Sequence, residues 1–413
     1  MIPNNSHPGT VGDIDGGAMS TYTRREFLEC CAAAATGAVL LPLAGCGRSG
    51  TPYAGVLEVP PNGYPLVEAS GSHFDIGKRI GLAMRGRILE YFNYSKEYAQ
   101  SVAYLEGEGK RTLEAMLAHV RWAFPHLLEE IEGMAESLEM PFMHLFAFNC
   151  RSEIEVMRNP PGCSTIAVND GGTTMLAHNE DGGDLNIGRM FLARVTPPSG
   201  VTFLAFVYPG LMPGNGPALN DRGIVETTNY IQPYEVADGI PRYFISRAIL
   251  EAKDLDDAVR IATIGPRAFP FHHNLVSLGE RRILSVETAA WPEQRADVME
   301  VRRLYIHTNH FLHPEMSEPG PEGKRPFDIP YVSSTTRLDV LTRAIEAGGE
   351  PKDEEGIIRL LSLHEGRPYS PCRHPEGDVR GVTLGTAFFR APETKMVLYH
   401  GNPCMNIRRE YEL

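Results

Sequence analysis

The order of predicted elements indicates an α+β protein with two stacked, mostly antiparallel sheets and helices outside them. The N-terminal third is mostly helical, a long central run of strands is interrupted by one helix pair, and a second helix pair precedes two final strands. Because each sheet must cover its apolar face with another layer, this order favours stacked sheets with outer helices.

The first 46 residues differ in composition from the rest of the chain. Arg24 and Arg25 stand before a Phe-Leu pair, and an apolar run covers 30–43. That run is shorter than the about 18–20 residues of a membrane span, but it suits the hydrophobic region of a signal peptide. The arginine pair resembles a twin-arginine export signal, and the Leu-Ala-Gly-Cys sequence ending at Cys46 resembles a bacterial lipoprotein box. We therefore expect residues 1–46 to direct export to the periplasm or cell surface, where lipid on Cys46 anchors the protein to the membrane.

Residues 47–63 are rich in Gly and Pro, so we expect a tether there and a single folded domain over 64–413. Apolar residues at helical spacing predict helices, with Pro125 restarting the second one. We expect Glu129, Glu130 and Glu132 on that helix to face solvent. The predicted helices are 74–98, 110–138, 143–149, 242–251, 255–263, 335–347 and 354–363. The predicted strands begin with a short one at Leu66 and continue at 163–168, 174–179, 189–196, 201–207, 223–228, 274–278, 282–287, 297–302, 304–310, 380–389 and 395–400.

Composition excludes some functions. The 39 basic and 52 acidic residues give a net charge of −13, and no basic cluster suggests binding to nucleic acid. The histidines are loosely spaced and the cysteines lack the pairing of a zinc site, so we expect no metal and no cofactor. Cys372 and Cys404 could form a disulfide in an oxidising compartment. The sequence leaves the oligomeric state open.

The Gly162-Cys163 pair is the most informative point of the sequence. Pro160 and Pro161 stiffen the approach, and Cys163 opens a predicted strand. A hairpin through the turn at 169–172 would return the polar end of the next strand to the side of the thiol.

A cysteine nucleophile needs a proton acceptor, and the sequence allows two kinds. One is a histidine such as His178 or His310. The other is the α-amine of Cys163 itself, with a pKa of about 7.7–8.0, if the bond after Gly162 is cut. Gly162 favours a cut because it lacks a side chain that would shield its carbonyl.

Five short motifs, in order along the chain, carry a family resemblance. They are Gly162-Cys-Ser-Thr165, Ala177-His-Asn-Glu-Asp181, His307-Thr-Asn-His310, Ser370-Pro-Cys-Arg-His374 and Gly401-Asn-Pro-Cys404. Together they resemble the acyl-coenzyme A:6-aminopenicillanic acid acyltransferase family, the peptidase C45 group. The resemblance implies an N-terminal nucleophile (Ntn) hydrolase with a four-layer αββα sandwich, cut autocatalytically into 64–162 and 163–413.

The same resemblance implies roles for individual residues. Cys163 would be the nucleophile and new N-terminus, and Asp181 the acid that orients it. Asn309 would donate to the oxyanion, with Asn229 as a second contributor, and Arg337 would support the site.

Asn179 and the pair Arg151 and Glu153 can also be compared with the family. Related bile-salt hydrolases carry an arginine just before the acid, whereas this chain has Asn179. Arg151 and Glu153 resemble residues near the cleavage site and are expected to form an ion pair.

These observations predict a self-processing cysteine enzyme that cleaves or transfers acyl groups on amide bonds of a small acyl amide or peptide. Two alternatives stay open: an uncut Cys-His hydrolase, and a non-catalytic envelope lipoprotein on the same fold. Phe206, Tyr208, Met212, Phe269 and Phe271 could line an apolar acyl pocket, but aromatic and Met residues near strand ends more often belong to the core.

Overall fold

The computed structural model of the chain describes residues 58–154, 162–233, 235–319, 323 and 332–413. The predicted signal, Cys46 and most of the tether lie outside the described residues, so export, lipid anchoring and the domain boundaries stay predictions. Within the described ranges, no helix is long and apolar enough to cross a membrane.

The described strands form two sheets, as predicted. Every neighbouring pair is antiparallel except β1 and β4. The first sheet has the spatial order β1 (Leu66–Ser70), β4 (Phe191–Thr196), β5 (Phe203–Val207), β6 (Ala218–Asn220), β7 (Ile224–Tyr230), β8 (Phe271–Ser277), β9 (Arg282–Ala289) and β10 (Arg295–Glu300). The second has the order β11 (Arg303–His307), β2 (Ser164–Asn169), β3 (Thr174–Gly183), β12 (Gly381–Arg390), β13 (Lys395–His400) and β14 (Arg408–Glu412).

The two sheets face each other across apolar and polar contacts. Phe206 of β5 and Leu384 of β12 belong to one buried core, and Thr165 of β2 donates to Asn229 Oδ1 of β7 at 3.0 Å. The sequence analysis did not predict β6, which has three residues, or β14, whose Arg-Arg-Glu-Tyr-Glu sequence is that of a charged, exposed edge strand.

The described helices cover the outer sides of both sheets. The helix Leu255–Ala262 packs against β8 and β9 of the first sheet, and the helices Val332–Gly348 and Glu354–Leu361 pack against β11 and β3 of the second. The α+β class with two stacked sheets between helices is therefore confirmed. The helices are α1 (His73–Tyr94), α2 (Lys96–Glu106), α3 (Lys110–Ala123), α4 (Pro125–Leu138), α5 (Phe142–Asn149), α6 (Arg151–Ile154), α7 (Arg242–Ile249), α8 (Leu255–Ala262), α9 (Pro314–Ser317), α10 (Val332–Gly348) and α11 (Glu354–Leu361).

Ser95 divides the predicted helix 74–98 into α1 and α2. Its backbone N–H closes α1 on the Tyr91 carbonyl, and its side chain accepts the Tyr98 N–H at 3.1 Å. A serine that ends one helix and caps the next changes the direction of the chain without leaving a backbone donor unpaired.

Helices α1 and α4 lie close together because glycines line their contact. A Cβ at Gly77 would overlap the Glu130 carbonyl oxygen, and a Cβ at Gly133 would overlap the Phe74 carbonyl oxygen. Glu130, which lies in this contact, is completely buried. Two nitrogens of the Arg247 guanidinium on α7, Nε and Nη2, donate to its carboxylate. The prediction that Glu130 faces solvent is therefore wrong, although its neighbour Glu129 is exposed.

Glu130→Ala should destabilise the protein by about 3 kcal/mol, because it leaves the guanidinium of Arg247 buried and only partly compensated. Urea unfolding of the purified chain measures this change. Glu129→Ala is the matched control on the exposed face and should change the free energy of unfolding by less than about 0.5 kcal/mol. Equal effects of the two substitutions would contradict a stabilising role for the buried pair.

Candidate active site

Cys163 lies at the entrance of β2, beside the end of β3. The predicted hairpin is confirmed, since Ser164 pairs with Asn179 and Thr165 with His178. A cavity opens next to the thiol, with an empty volume of about 510 Å³ that includes its solvent-facing part. Its lining contains Cys163 and Asp181, together with Glu97, Arg151, Glu180, Gly182, Gly183, Asn186, Tyr208, Asn215, Thr228, Tyr230, Arg242, Tyr243 and Phe271.

Asn309 and Arg337 hold the backbone of Cys163 from both sides. The Cys163 N–H donates to Asn309 Oδ1 at 2.9 Å, and Arg337 Nη1 donates to the Cys163 carbonyl. Arg337 also donates to Ser164 Oγ at 2.9 Å and to Asn309 Oδ1 at 2.7 Å. Both side chains are buried, so little solvent competes for these bonds. Two predicted site residues, Asn309 and Arg337, are thus brought together on the backbone of Cys163.

Gly162 fits this arrangement because it has no side chain. A Cβ at position 162 would overlap Arg337 Nη2 and Asn309 Oδ1. Both groups are held by several hydrogen bonds, so they have little freedom to move aside. The residue before the cysteine must therefore be glycine if the clamp of Asn309 and Arg337 is to close on Cys163.

The thiol of Cys163 is protonated in the intact chain. Burial raises its pKa well above the usual value, and the nearby carboxyl groups of Glu180 and Asp181 raise it further. The Asp181 backbone N–H, which hydrogen-bonds the sulfur, and the charge of Arg337 act in the opposite direction but do not prevail. A reaction at this sulfur therefore needs a nearby proton acceptor.

Asp181 is held by its neighbours in a position from which it can exchange a proton. Burial raises the pKa of its carboxyl to about 7, against the charges of Arg373 and Arg337 and a hydrogen bond from Thr383. Thr383 Oγ1 donates to Oδ1 at 2.7 Å, while Oδ2 has no partner among the described groups. The sequence analysis missed Thr383 and Arg373, although Arg373 lies in the Ser370–His374 motif.

A second carboxyl group, that of Glu180, lies near the thiol. Glu180 accepts the Tyr208 hydroxyl at 2.6 Å and lies 3.3 Å from His178 Nε2. The thiol, His178 and Glu180 lie within 4.8 Å of one another. His178 Nδ1 is 2.8 Å from Thr165 Oγ1, so both ring nitrogens already have partners.

His310, the other histidine proposed as a base, does not line the cavity. Its Nδ1 lies 2.7 Å from Ser334 Oγ. Burial lowers its pKa to about 4, so the ring is neutral at physiological pH. Its position does not support action on the thiol.

In the intact chain, Asn309 and Asn229 are not arranged as the oxyanion donors that the family resemblance implies. Asn309 Nδ2 already donates to the Tyr230 carbonyl at 2.8 Å, and the neighbouring N–H and C=O groups fix which amide atom is oxygen. Asn229 lies on the face of β7 opposite Thr228 and Tyr230, which line the cavity, and its Oδ1 accepts from Thr165. The oxyanion role of both residues stays a prediction.

The expected ion pair of Arg151 with Glu153 is not formed. Arg151 Nε instead contacts Glu97 at 3.2 Å, and Glu153 Oε1 accepts the backbone N–H of Arg242 at 2.9 Å. Arg151 and Arg242 each keep one Nη1 group with no hydrogen-bond partner among the described residues, and both line the cavity.

Of the five residues considered for an apolar acyl pocket, three are buried and do not line the cavity. Phe206 and Met212 are part of the main core, and Phe269 is buried outside the cavity lining. Tyr208 and Phe271 do line the cavity, where carboxyl and guanidinium groups accompany them. Successive side chains of a strand point to opposite faces of the sheet, and the sequence did not show which of them face the cavity.

The chain is similar to two proteins of known activity. Over 371 residues the chain is 24% identical to the beta-alanyl-dopamine/carcinine hydrolase of Drosophila melanogaster, covering 82% of this chain and 93% of that protein. A solved structure, the N-acylethanolamine-hydrolyzing acid amidase ortholog of Caenorhabditis elegans, matches at a TM-score of 0.39 and 14% identity, covering 56% of this chain and 94% of that one.

The family comparison covers more than half of the 413 residues. Residues 168–404 match the family described as acyl-coenzyme A:6-aminopenicillanic acid acyl-transferase. That segment contains Asp181, Asn229, Asn309 and Arg337, and it begins shortly after Cys163. The chain therefore belongs to the acyl-coenzyme A:6-aminopenicillanic acid acyl-transferase family and is an enzyme of its amidohydrolase and acyltransferase class.

Proposed function

We propose that this protein is a self-processing cysteine hydrolase that cleaves the C–N amide bond of small N-acylated amines through a thioester on Cys163. The observation that carries the proposal is the contact of the Cys163 backbone nitrogen with Asn309 Oδ1 at 2.9 Å. A free α-amine at the same place would keep this acceptor while its lone pair takes the thiol proton.

Processing begins with the thiol of Cys163 and the carbonyl carbon of Gly162. Asp181 accepts the thiol proton, the sulfur attacks, and the proton passes to the Cys163 nitrogen as the C–N bond breaks. Water then hydrolyses the Gly162 thioester, which leaves a Gly162 carboxylate and a Cys163 residue with free thiol and α-amine. Arg337, which donates to the Cys163 carbonyl, keeps the residue in place when the chain is cut.

Turnover uses the amine that processing creates. The α-amine takes the thiol proton, the sulfur attacks the substrate carbonyl, and the amine passes that proton to the leaving nitrogen. The product amine departs, and water releases the acyl group from the thioester. The new base matters because burial and two adjacent carboxyl groups oppose ionisation of the thiol.

The cavity supports a compact polar substrate. Its lining includes the acidic residues Glu97 and Asp181 and the basic residues Arg151 and Arg242, which suit polar groups better than a long alkyl chain. The Drosophila relative is named for β-alanyl-dopamine and carcinine, so N-β-alanyl amines are our proposed substrates. Water is the proposed acyl acceptor, since coenzyme A would be scarce for an exported enzyme.

The purified wild-type chain should release amine from β-alanyl-dopamine and carcinine, and Cys163→Ala should release none because no thioester can form. Chromatographic measurement of dopamine and histamine tests this, with a long-chain N-acylethanolamine as a comparison substrate. Cys150→Ala removes another buried thiol and should keep the activity. Amine release by Cys163→Ala equal to wild type would reject the thioester route.

Gly162→Ala should slow processing at least about tenfold, because the added methyl group forces the Asn309–Arg337 clamp apart at a cost of about 1–3 kcal/mol. Intact-mass measurement over time follows the precursor and the fragment that begins at Cys163. Gly172→Ala, at a turn position with room for a methyl group, should process normally. An active wild-type enzyme that stays uncut would instead favour the rival with His178 as base.

The rate of precursor processing should increase with pH up to about 7 and then level off, because Asp181, whose pKa burial raises to about 7, must be ionised to accept the thiol proton. Below that pH the rate should fall about tenfold per unit. Processing assays on freshly refolded precursor between acidic and neutral pH measure the profile. Asp181→Asn should process slowly at every pH, and an unchanged profile in that variant would exclude Asp181 as the acceptor.

A further inference from the structure

Four potential metal ligands converge away from the nucleophile. His364, Cys372 and His374 lie on the segment between α11 and β12. Cys404 lies in the short 3-10 helix Pro403–Met405 that follows β13. Their four ligand atoms lie within 4.8 Å of one another.

Four of the six separations match the edges of a tetrahedron. Cys372 Sγ lies 3.7 Å from Cys404 Sγ and 3.6 Å from His374 Nε2. Cys404 Sγ lies 3.5 Å from His374 Nε2, and the two Nε2 atoms of His364 and His374 lie 3.1 Å apart. Zinc with Zn–S of about 2.3 Å and Zn–N of about 2.0–2.1 Å requires edges of about 3.8 Å (S–S), 3.5 Å (S–N) and 3.3 Å (N–N). We infer that these four side chains form a structural Zn²⁺ site.

The chemistry of the cluster suits zinc better than a disulfide. The sulfur atoms are 3.7 Å apart, compared with about 2.05 Å in a disulfide. Binding would release the two thiol protons, and two thiolates with two neutral imidazoles would cancel the charge of the ion. Cys372 is buried while Cys404 is exposed, so the ion has a route of entry.

Neighbouring groups hold one ligand in position. Asn402 Nδ2 lies 3.4 Å from Cys372 Sγ and donates to the Arg373 carbonyl at 2.6 Å. The Cys372 N–H donates to the Leu363 carbonyl at 2.9 Å. An amide N–H directed at a ligating sulfur is the kind of outer contact that orients and stabilises a metal-bound thiolate.

The site also connects to the catalytic carboxyl group. Arg373 stands between the ligands Cys372 and His374, and its backbone N–H donates to Thr383 Oγ1 at 3.0 Å. Thr383 in turn donates to Asp181 Oδ1 at 2.7 Å. Zinc would therefore fix the segment that positions Asp181, without contacting the substrate cavity.

Elemental analysis of the full chain, purified without a histidine tag, should find one zinc per chain. Cys404→Ser and His374→Ala should each lower the zinc content at least about tenfold, whereas Cys150→Ser should keep it. Replacement by Co²⁺ should give the visible bands of a tetrahedral ion and a sulfur-to-cobalt band in the near ultraviolet. A metal-free wild-type chain after incubation with Zn²⁺, or a Cys372–Cys404 disulfide found by peptide mass mapping of the purified protein, would overturn the inference.

Cys163→Ala distinguishes this site from the nucleophile, because Cys163, His178 and Glu180 also lie close together. That variant should be inactive but keep its zinc, and loss of zinc from it would overturn the assignment of the four ligands. Zinc removal with a chelator should lower both the thermal midpoint and the turnover number. Full amine release by a chain that never binds zinc would reject the metal site and leave the proposed function intact.

Discussion

One shared acceptor, the side-chain oxygen of Asn309, holds the centre of this structure together. It receives the backbone N–H of Cys163 and a guanidinium N–H of Arg337, and Asn309 itself is anchored to the Tyr230 carbonyl of the opposite sheet. Cys163 is thereby fixed through its backbone, and it lines the cavity. The same contact explains why position 162 must be glycine, since any larger residue would displace the two groups that bind the next nitrogen.

The layer between the two sheets is polar near the site, and it contains several buried histidines. His272 stacks on His307 with ring centroids 3.5 Å apart, and burial lowers the pKa of His272 well below its usual value. Asn229 joins this network through hydrogen bonds to Thr165 and His272. Each polar group is costly to bury unless it finds a partner, so the network specifies how the sheets align. This explains why several histidines near the site act as structural links.

The sequence best predicted those parts of the site that depend on residues close together in the chain. The hairpin that returns Asp181 towards Cys163 follows from turn chemistry, and the structure contains it. The family resemblance identified Asn309 and Arg337 but could not show which atoms they present. In the intact chain Asn309 contributes an acceptor to Cys163, because its donor is occupied by a carbonyl from another sheet.

The sequence by itself determined the α+β class, the hairpin of two successive strands and the position of Cys163 at its start. These features depend on periodicity and on residues that are neighbours in the chain. Only the tertiary structure decided which distant groups meet. Glu130 is buried by a glycine-lined helix contact, and Cys404 reaches Cys372 and His374 because a strand and a helical turn bring it back. The spacing of residues along the chain does not predict such contacts, since they arise from the packing of elements that are far apart in sequence.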